Sequence, residues 1–76
     1  MKLIPISGRQ MCKLVEKLGF QKVHHVGSHA RYIHSDGRKT TIPVHANEDL
    51  GKGLLLEILH QIKIGREEYD QLRRKV

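Results

Sequence analysis

The hydrophobic pattern of this 76-residue chain changes its period twice, and this change constrains the fold more than any other feature. Apolar residues recur at the spacing of one helix face near the start of the chain. They alternate in short runs from Phe20 to His45 and then return to helical spacing. This pattern predicts a helix, three antiparallel strands, and then one or two helices. Because so short a chain builds one core, we expect a single domain over residues 1–76.

The first helix has signals at both of its ends. Ser7 can cap the N-terminus, and Gln10, three residues later, completes a capping box. Gly19 suits the left-handed residue that stops a helix, and Phe20 can then fold back on Val15. The sequence therefore predicts a helix that begins after Ser7 and ends before Gly19.

Three short alternating runs predict the strands, which are Phe20–Val26, Ala30–His34 and Lys39–Val44. Residues 27–28 and 35–37 form the connecting turns. Because Pro43 has no backbone N–H, we expect the third strand to lie at the sheet edge or to carry a bulge. Later helical spacing predicts a helix around residues 54–62 and a second, short helix from Gly65. Helices that bury apolar stripes on a small sheet cover one face, so the predicted class is α+β with one open sheet face.

The register of the second hairpin decides which side chains share that open face. A two-residue turn would place Arg31 among aliphatic side chains, whereas a three-residue turn with Gly37 left-handed separates aliphatic from charged residues. We favour the three-residue turn, although it leaves Ile33 on the charged face. The open face would then carry two histidines, two cations and a threonine: His29, Arg31, Lys39, Thr41 and His45.

The charge balance indicates a polyanionic partner. Fourteen Lys and Arg residues against eight Asp and Glu give a net charge of +6, with six His in addition. Nucleic acid is the first candidate, ahead of an anionic membrane and an acidic protein. No apolar run approaches the ~20 residues of a membrane span, so we expect no membrane insertion. Because the lone Cys12 cannot form an internal disulfide, we expect a cytoplasmic protein.

Histidine is the side chain whose ordinary pKa, about 6.5, allows proton transfer near neutral pH. RNA brings its own nucleophile, the 2′-hydroxyl, so a histidine beside cations could cleave a strand. The same residues could also bind RNA without cleaving it, or meet an acidic protein. His25 and His29 have the spacing of a zinc-ligand pair, but a turn lies between them and carboxylate partners are missing nearby. No phosphate-binding glycine loop is present. We therefore expect neither a metal nor another cofactor.

Three motifs together resemble the HicA family of toxin–antitoxin ribonucleases, namely Gly27-Ser28-His29, Asp36-Gly37-Arg38 and Ile42-Pro43-Val44-His45. The resemblance implies a double-stranded-RNA-binding-domain-like fold with an α-β-β-β-α order. It implies the toxin of a type II toxin–antitoxin system, a metal-independent endoribonuclease that cleaves mRNA and arrests translation and growth. It also implies neutralisation by a HicB-type antitoxin, which we expect to cover the face that carries His29.

The resemblance assigns the catalytic role to His29, with Gly27 and Ser28 shaping the turn that presents it. His45 would lie near this site in a supporting role. We expect four cations to contact RNA, two on the open face and two nearer its rim: Arg31, Lys39, Lys22 and Arg38. The main alternative remains a non-catalytic RNA-binding module that uses the same face.

Overall fold

The protein is described by a computed structural model that covers residues 2–45 and 48–76. The elements follow the predicted order of helix, three strands and two helices. They are α1 (Gly8–Lys17), β1 (Gln21–Val26), β2 (His29–Ile33), β3 (Lys39–Pro43), α2 (Lys52–Ile62) and α3 (Arg66–Arg73). The strands form one antiparallel sheet in the order β1-β2-β3, which confirms the predicted α+β class.

The end signals of α1 form as predicted. The Ser7 hydroxyl accepts the backbone N–H of Gln10 at 3.2 Å, and the Gln10 side chain accepts the Ser7 N–H at 3.0 Å. At the other end, Gly19 has a φ of 98°, and the N–H of Phe20 donates to the Val15 carbonyl at 3.0 Å. These bonds satisfy backbone groups that a helix end leaves unpaired. They fix the length of α1 and the direction in which the chain enters the sheet.

The second hairpin has the three-residue turn. Ile33 pairs with Lys39, and the His34 N–H donates to the Arg38 carbonyl at 2.8 Å. Gly37, with a φ of 98°, adopts the left-handed conformation that this turn requires. The register therefore confirms the predicted separation of faces, including the outward position of Ile33.

The two faces of the sheet differ in burial. Toward the helices, Ala30, Tyr32, Thr40 and Ile42 are buried. The alternate side chains of β2 and β3 are exposed, and we call this surface the open face: His29, Arg31, Ile33, Lys39 and Thr41. Pro43 ends β3, which is an edge strand as predicted. The helices thus cover one face and leave the other to solvent.

The core lies between that covered face and the three helices. α1 contributes Met11, Leu14 and Val15, and α2 contributes four buried aliphatic residues: Leu55, Ile58, Leu59 and Ile62. α3 is held by Tyr69, which is buried and whose hydroxyl donates to the Ile4 carbonyl. The burial of these side chains from water is the main force that keeps the helices on the sheet.

β1 differs from the other two strands because all six of its residues are exposed. The strand begins at Gln21, one residue later than predicted, because Phe20 turns inward and is 3% exposed. Val23 is the extra residue of a bulge between Lys22 and His24, and it is 59% exposed. The free edge of the sheet at β1 is therefore wet on both faces, and the bulge interrupts its regular pairing.

Candidate nucleic-acid interface

A tight turn presents His29 at the first position of β2. Gly27 has a φ of 57°, and Val26 pairs directly with His29 across the two-residue loop. A positive φ at the first loop residue alone is the pattern of a type II′ turn, which favours glycine there. The His29 side chain is exposed, and among residues 2–45 and 48–76 no side chain or backbone group hydrogen-bonds to its ring. Its imidazole is therefore available to a ligand.

The end of β3 lies beside this turn. His29 pairs with Pro43, and the N–H of Val44 donates to the Ser28 carbonyl, which extends the register by one residue. Gly8, the first residue of α1, packs so closely on this strand end that a Cβ there would overlap the Pro43 carbonyl oxygen. His45 follows at the same end of the sheet and is exposed. The N-terminus of α1 therefore supports the strand segment directly opposite His29.

Arg31 and Lys39 lie on the open face with His29. Arg31 pairs with Thr41 on one side and with His24 on the other, while Lys39 pairs with Ile33. Arg31 lies two positions after His29 along β2, so their Cα atoms are roughly 7 Å apart. Within the described part of the chain, neither cation has a salt bridge or a side-chain hydrogen bond. Arg31 thus places unpaired positive charge near the His29 imidazole, and Lys39 extends the positive charge toward the other end of the face.

The other two predicted cations are not brought to this face. Lys22 pairs with Tyr32, whose side chain points to the helices, and its charge acts on the Cys12 thiol. Arg38 donates from Nε to Asp36 at 2.8 Å and from its guanidinium to the Ile62 carbonyl. Its guanidinium carbon also lies 5.1 Å from the centre of the Phe20 ring. The Arg38 side chain therefore stabilises the packing of the β2–β3 turn, and Lys22 lies on the side of the sheet that faces the helices.

Resolved pKa shifts also lie away from the open face. Burial raises the pKa of the Cys12 thiol, which keeps this half-buried side chain protonated. Burial, together with a 2.6 Å hydrogen bond to Glu16, raises the pKa of Tyr32. In the β2–β3 turn, the backbone N–H and then the guanidinium of Arg38 lower the pKa of Asp36. These groups stabilise the fold, and none of them lies on the open face.

An open groove with a volume of about 600 Å³ runs between the sheet and α2. We call it the sheet–α2 groove, and its lining includes Val23, Arg31, Lys39, Leu54, Glu57 and Gln61. Sequence reasoning missed Glu57 and Gln61, as well as His24 beside Arg31. The available signal was the polar spacing of residues 57 and 61 beside the apolar stripe of α2. That signal became specific only when the docking of α2 against β3 was known.

Two kinds of site are absent from the described residues. Residues 2–45 and 48–76 contain no group of three or more His, Cys, Asp or Glu side chains that could hold a metal ion. No helix within the same ranges is long and apolar enough to cross a membrane.

The comparison with protein families finds a match. The sequence model of a family described as "HicA toxin of bacterial toxin-antitoxin" matches residues 8–64 of the 76-residue chain. This range extends from the first residue of α1 to just beyond α2, so it includes the open face and the sheet–α2 groove. None of the curated proteins compared with the chain matches it.

Proposed function

The chain belongs to the HicA toxin family of bacterial toxin–antitoxin systems, and from this membership we propose that it is an endoribonuclease that cleaves mRNA in the cytoplasm. The observation that carries the proposal is the exposed imidazole of His29 on the same sheet face as two unpaired cations. Arg31 lies two positions along β2, and Lys39 lies farther along the face, opposite Ile33. A positive face binds the phosphates of RNA, and an available imidazole can transfer protons at neutral pH.

In the proposed reaction, the 2′-oxygen of a ribose attacks the adjacent phosphorus atom. A bond forms between these two atoms, and the bond from phosphorus to the 5′-oxygen of the next nucleotide breaks. A proton leaves the 2′-hydroxyl and another reaches the departing 5′-oxygen, giving a cyclic phosphate and a free 5′-hydroxyl. His29 carries one of these proton transfers as a general acid or base, while solvent carries the other. Arg31 stabilises the charge that develops on the phosphate oxygens.

The neighbouring residues keep the imidazole in place. Gly27 allows the tight turn, and the Ser28 carbonyl is held by the Val44 N–H. These contacts leave His29 at the start of a paired strand rather than in a mobile loop, which favours a precise approach to the phosphate. His45 lies at the same end of the sheet and supports substrate binding there.

Family membership also gives the chain an antitoxin partner. We propose that this partner is a HicB-type protein that covers His29. The face that carries His29 has exposed apolar side chains as well as cations. Val26, 58% exposed, lies opposite His29, and Ile33, 41% exposed, lies at the other end of β2. A partner with apolar and acidic residues fits this combination, and by covering the imidazole it silences the enzyme.

The decisive experiment compares wild type with His29→Ala in a purified assay on mRNA. We expect His29→Ala to fold normally, because the side chain is exposed, and to lose cleavage. His60→Ala is the matched control, since His60 is exposed on α2 and should leave cleavage unchanged. Cleavage by His29→Ala at the wild-type rate would overturn the role of His29. RNA that is retarded on a gel but never cut by wild type would instead favour the non-catalytic RNA-binding module.

The same assay tests independence from metal ions. Because the proposed proton transfers need only an imidazole and the 2′-hydroxyl, we expect cleavage to continue at an unchanged rate in excess EDTA. A loss of cleavage that added Mg²⁺ or Zn²⁺ restores would contradict the mechanism.

A further inference from the structure

The sheet–α2 groove has three chemically different walls. Arg31 and Lys39 give the sheet side a positive charge, and Val23 and Leu54 are apolar. On the α2 side, Glu57 contributes a carboxylate to the lining. Among the described residues, no cation lies within salt-bridge distance of that carboxylate. A ligand whose chemistry matches these walls carries an anion at one end and hydrogen-bond donors at the other, with apolar surface between them.

Gln61 adds a donor beside the carboxylate. Its Oε1 accepts a 2.6 Å hydrogen bond from the hydroxyl of Thr40, which is itself 4% exposed. This bond fixes the amide and leaves Nε2, with two N–H donors, available on the same helix face as Glu57. The residues lie four positions apart on α2, so their side chains are neighbours. Together, Glu57 and Gln61 present one hydrogen-bond acceptor and one donor to the edge of a ligand that itself carries both donors and acceptors.

We propose that the sheet–α2 groove binds one unpaired nucleotide of the RNA next to the cleaved bond, and that Glu57 reads its base. The proposal rests on the proposed function and names a substrate subsite for it. Guanine fits best, because its N1–H and N2–H₂ donors lie side by side and match the two oxygens of a carboxylate. The guanine O6 is then an acceptor for the Gln61 amide. The base must be unpaired, because pairing occupies the same edge.

The location suits this role. Arg31 lines the groove and lies about 7 Å from His29 along β2, so a phosphate held by Arg31 is close to the imidazole. Beyond Lys39 and Gln61, a smaller groove of about 360 Å³ continues past Lys63. Lys63 is exposed, and with Lys39 it gives this second groove two cations, unpaired among the described residues, beside the Asp36–Arg38 ion pair. These two cations offer the RNA backbone a path away from the base pocket.

Binding to RNA that cannot be cut tests the subsite directly. The probes are fluorescent 2′-O-methyl oligouridylates whose central residue is guanosine, adenosine, cytidine or uridine, and affinity is measured by fluorescence anisotropy. Wild type should bind the guanosine probe roughly tenfold more tightly than the uridine probe, which is the size of one good bidentate base contact. Glu57→Gln should lose this preference and bind all four alike, because it replaces one acceptor oxygen by a donor. Glu67→Gln, an exposed glutamate of α3 outside the groove, should keep it.

The outcomes separate the subsite from the nuclease. Equal affinity of wild type for all four probes, or an unchanged preference in Glu57→Gln, overturns the subsite even if unmodified RNA is cut in a His29-dependent manner. A guanosine preference that depends on Glu57, without cleavage of the unmodified oligonucleotides, keeps the subsite and rejects the proposed function. Annealing the guanosine probe to its complement should abolish the dependence on Glu57, and a dependence that persists on the duplex contradicts reading of an unpaired base.

Discussion

Among single substitutions, replacement of Gly8 should disturb the candidate site most directly. Gly8 is buried where the first turn of α1 meets the end of β3, and a Cβ would overlap the Pro43 carbonyl oxygen and lie 3.1 Å from the Val44 Cα. Because both neighbours are backbone atoms, the clash cannot be relieved by a side-chain rotation. Pro43 pairs with His29, so a displaced strand end moves the residue opposite the imidazole.

We therefore predict that Gly8→Ala lowers the free energy of unfolding by about 1–3 kcal/mol, as overpacking of an interior contact does. It should also reduce RNA cleavage per folded molecule. Urea unfolding followed by circular dichroism measures the first effect, and a cleavage assay normalised to the folded fraction measures the second.

Gly53 provides the control for this prediction. It lies in α2, and a Cβ there meets nothing within 4 Å. Gly53→Ala should raise stability by roughly 0.5–1 kcal/mol, because alanine loses less backbone entropy than glycine in a helix. If Gly8→Ala is as stable as wild type, the packing of α1 on β3 is looser than the structure indicates.

At this scale, the sequence predicted the residues whose roles depend on close neighbours in the chain. Ser7, Gln10 and Gly19 act within α1 and its caps, and the structure confirms each of them. The sequence was a poorer guide to contacts between residues that lie far apart along the chain. Arg38 was predicted to contact RNA from the rim of the open face, and that stays a prediction. Its bond to the Ile62 carbonyl, 24 residues away, was not predicted, because a linear pattern contains no signal for that contact.

The turn between β2 and β3 contacts the C-terminal ends of both α1 and α2. The Asp36 N–H donates to His34 Nδ1 at 3.1 Å, and His34 Nε2 lies 3.1 Å from the Leu18 carbonyl oxygen at the end of α1. Arg38 meanwhile bonds to the last carbonyl of α2. The turn thus caps the C-terminal ends of two helices, where exposed carbonyls favour donors and positive charge.

Asp36 organises this turn, and its protonation should loosen it. Its pKa is lowered chiefly by the Arg38 backbone N–H and also by the Arg38 guanidinium. The stability it contributes is therefore fully present above the unfolded carboxyl's pKa of about 3.9 and is lost as pH falls through the lower folded value. We predict that Asp36→Asn has a lower unfolding temperature than wild type at neutral pH. The difference should vanish in strong acid.

Thermal unfolding of the two proteins from neutral pH to about pH 2 checks this dependence, since the other carboxylates are common to both and cancel in the difference. A difference that stays constant across the range would show that the Asp36 charge contributes nothing to stability. Asp70→Asn, which interrupts salt bridges to Arg73 and Arg74 in α3, tests whether any ion pair gives the same effect.

Among the strands, hydrophobic periodicity predicted β2 and β3 better than β1. β2 and β3 alternate in burial, and the favoured register followed from separating aliphatic from charged side chains. β1 shows no alternation, because no helix covers it and its bulge at Val23 breaks the period. Because neither face of an exposed strand is buried, its sequence need not alternate between apolar and polar residues.

At the scale of the whole molecule, the sequence predicted the composition of the open face but not the groove beside it. The face follows from strand register, which alternation can specify. The groove depends on where α2 docks along β3, and that position is fixed by the packing of Leu55, Ile58, Leu59 and Ile62 into the core. Many helix positions bury the same apolar stripe, so periodicity does not choose between them.

With a net charge of +6, the proposed RNA binding should be sensitive to salt, and the strand register suggests which cations to test. Lys39 borders both grooves, so we predict that Lys39→Gln weakens binding of the 2′-O-methyl probes about equally for every base. It should also reduce the slope of log affinity against log salt by about 0.7, the value for one phosphate contact on a single strand. Lys13→Gln removes the same charge from the exposed side of α1 and should leave the slope unchanged. Equal effects of the two substitutions would mean that net charge, rather than the open face, attracts the RNA.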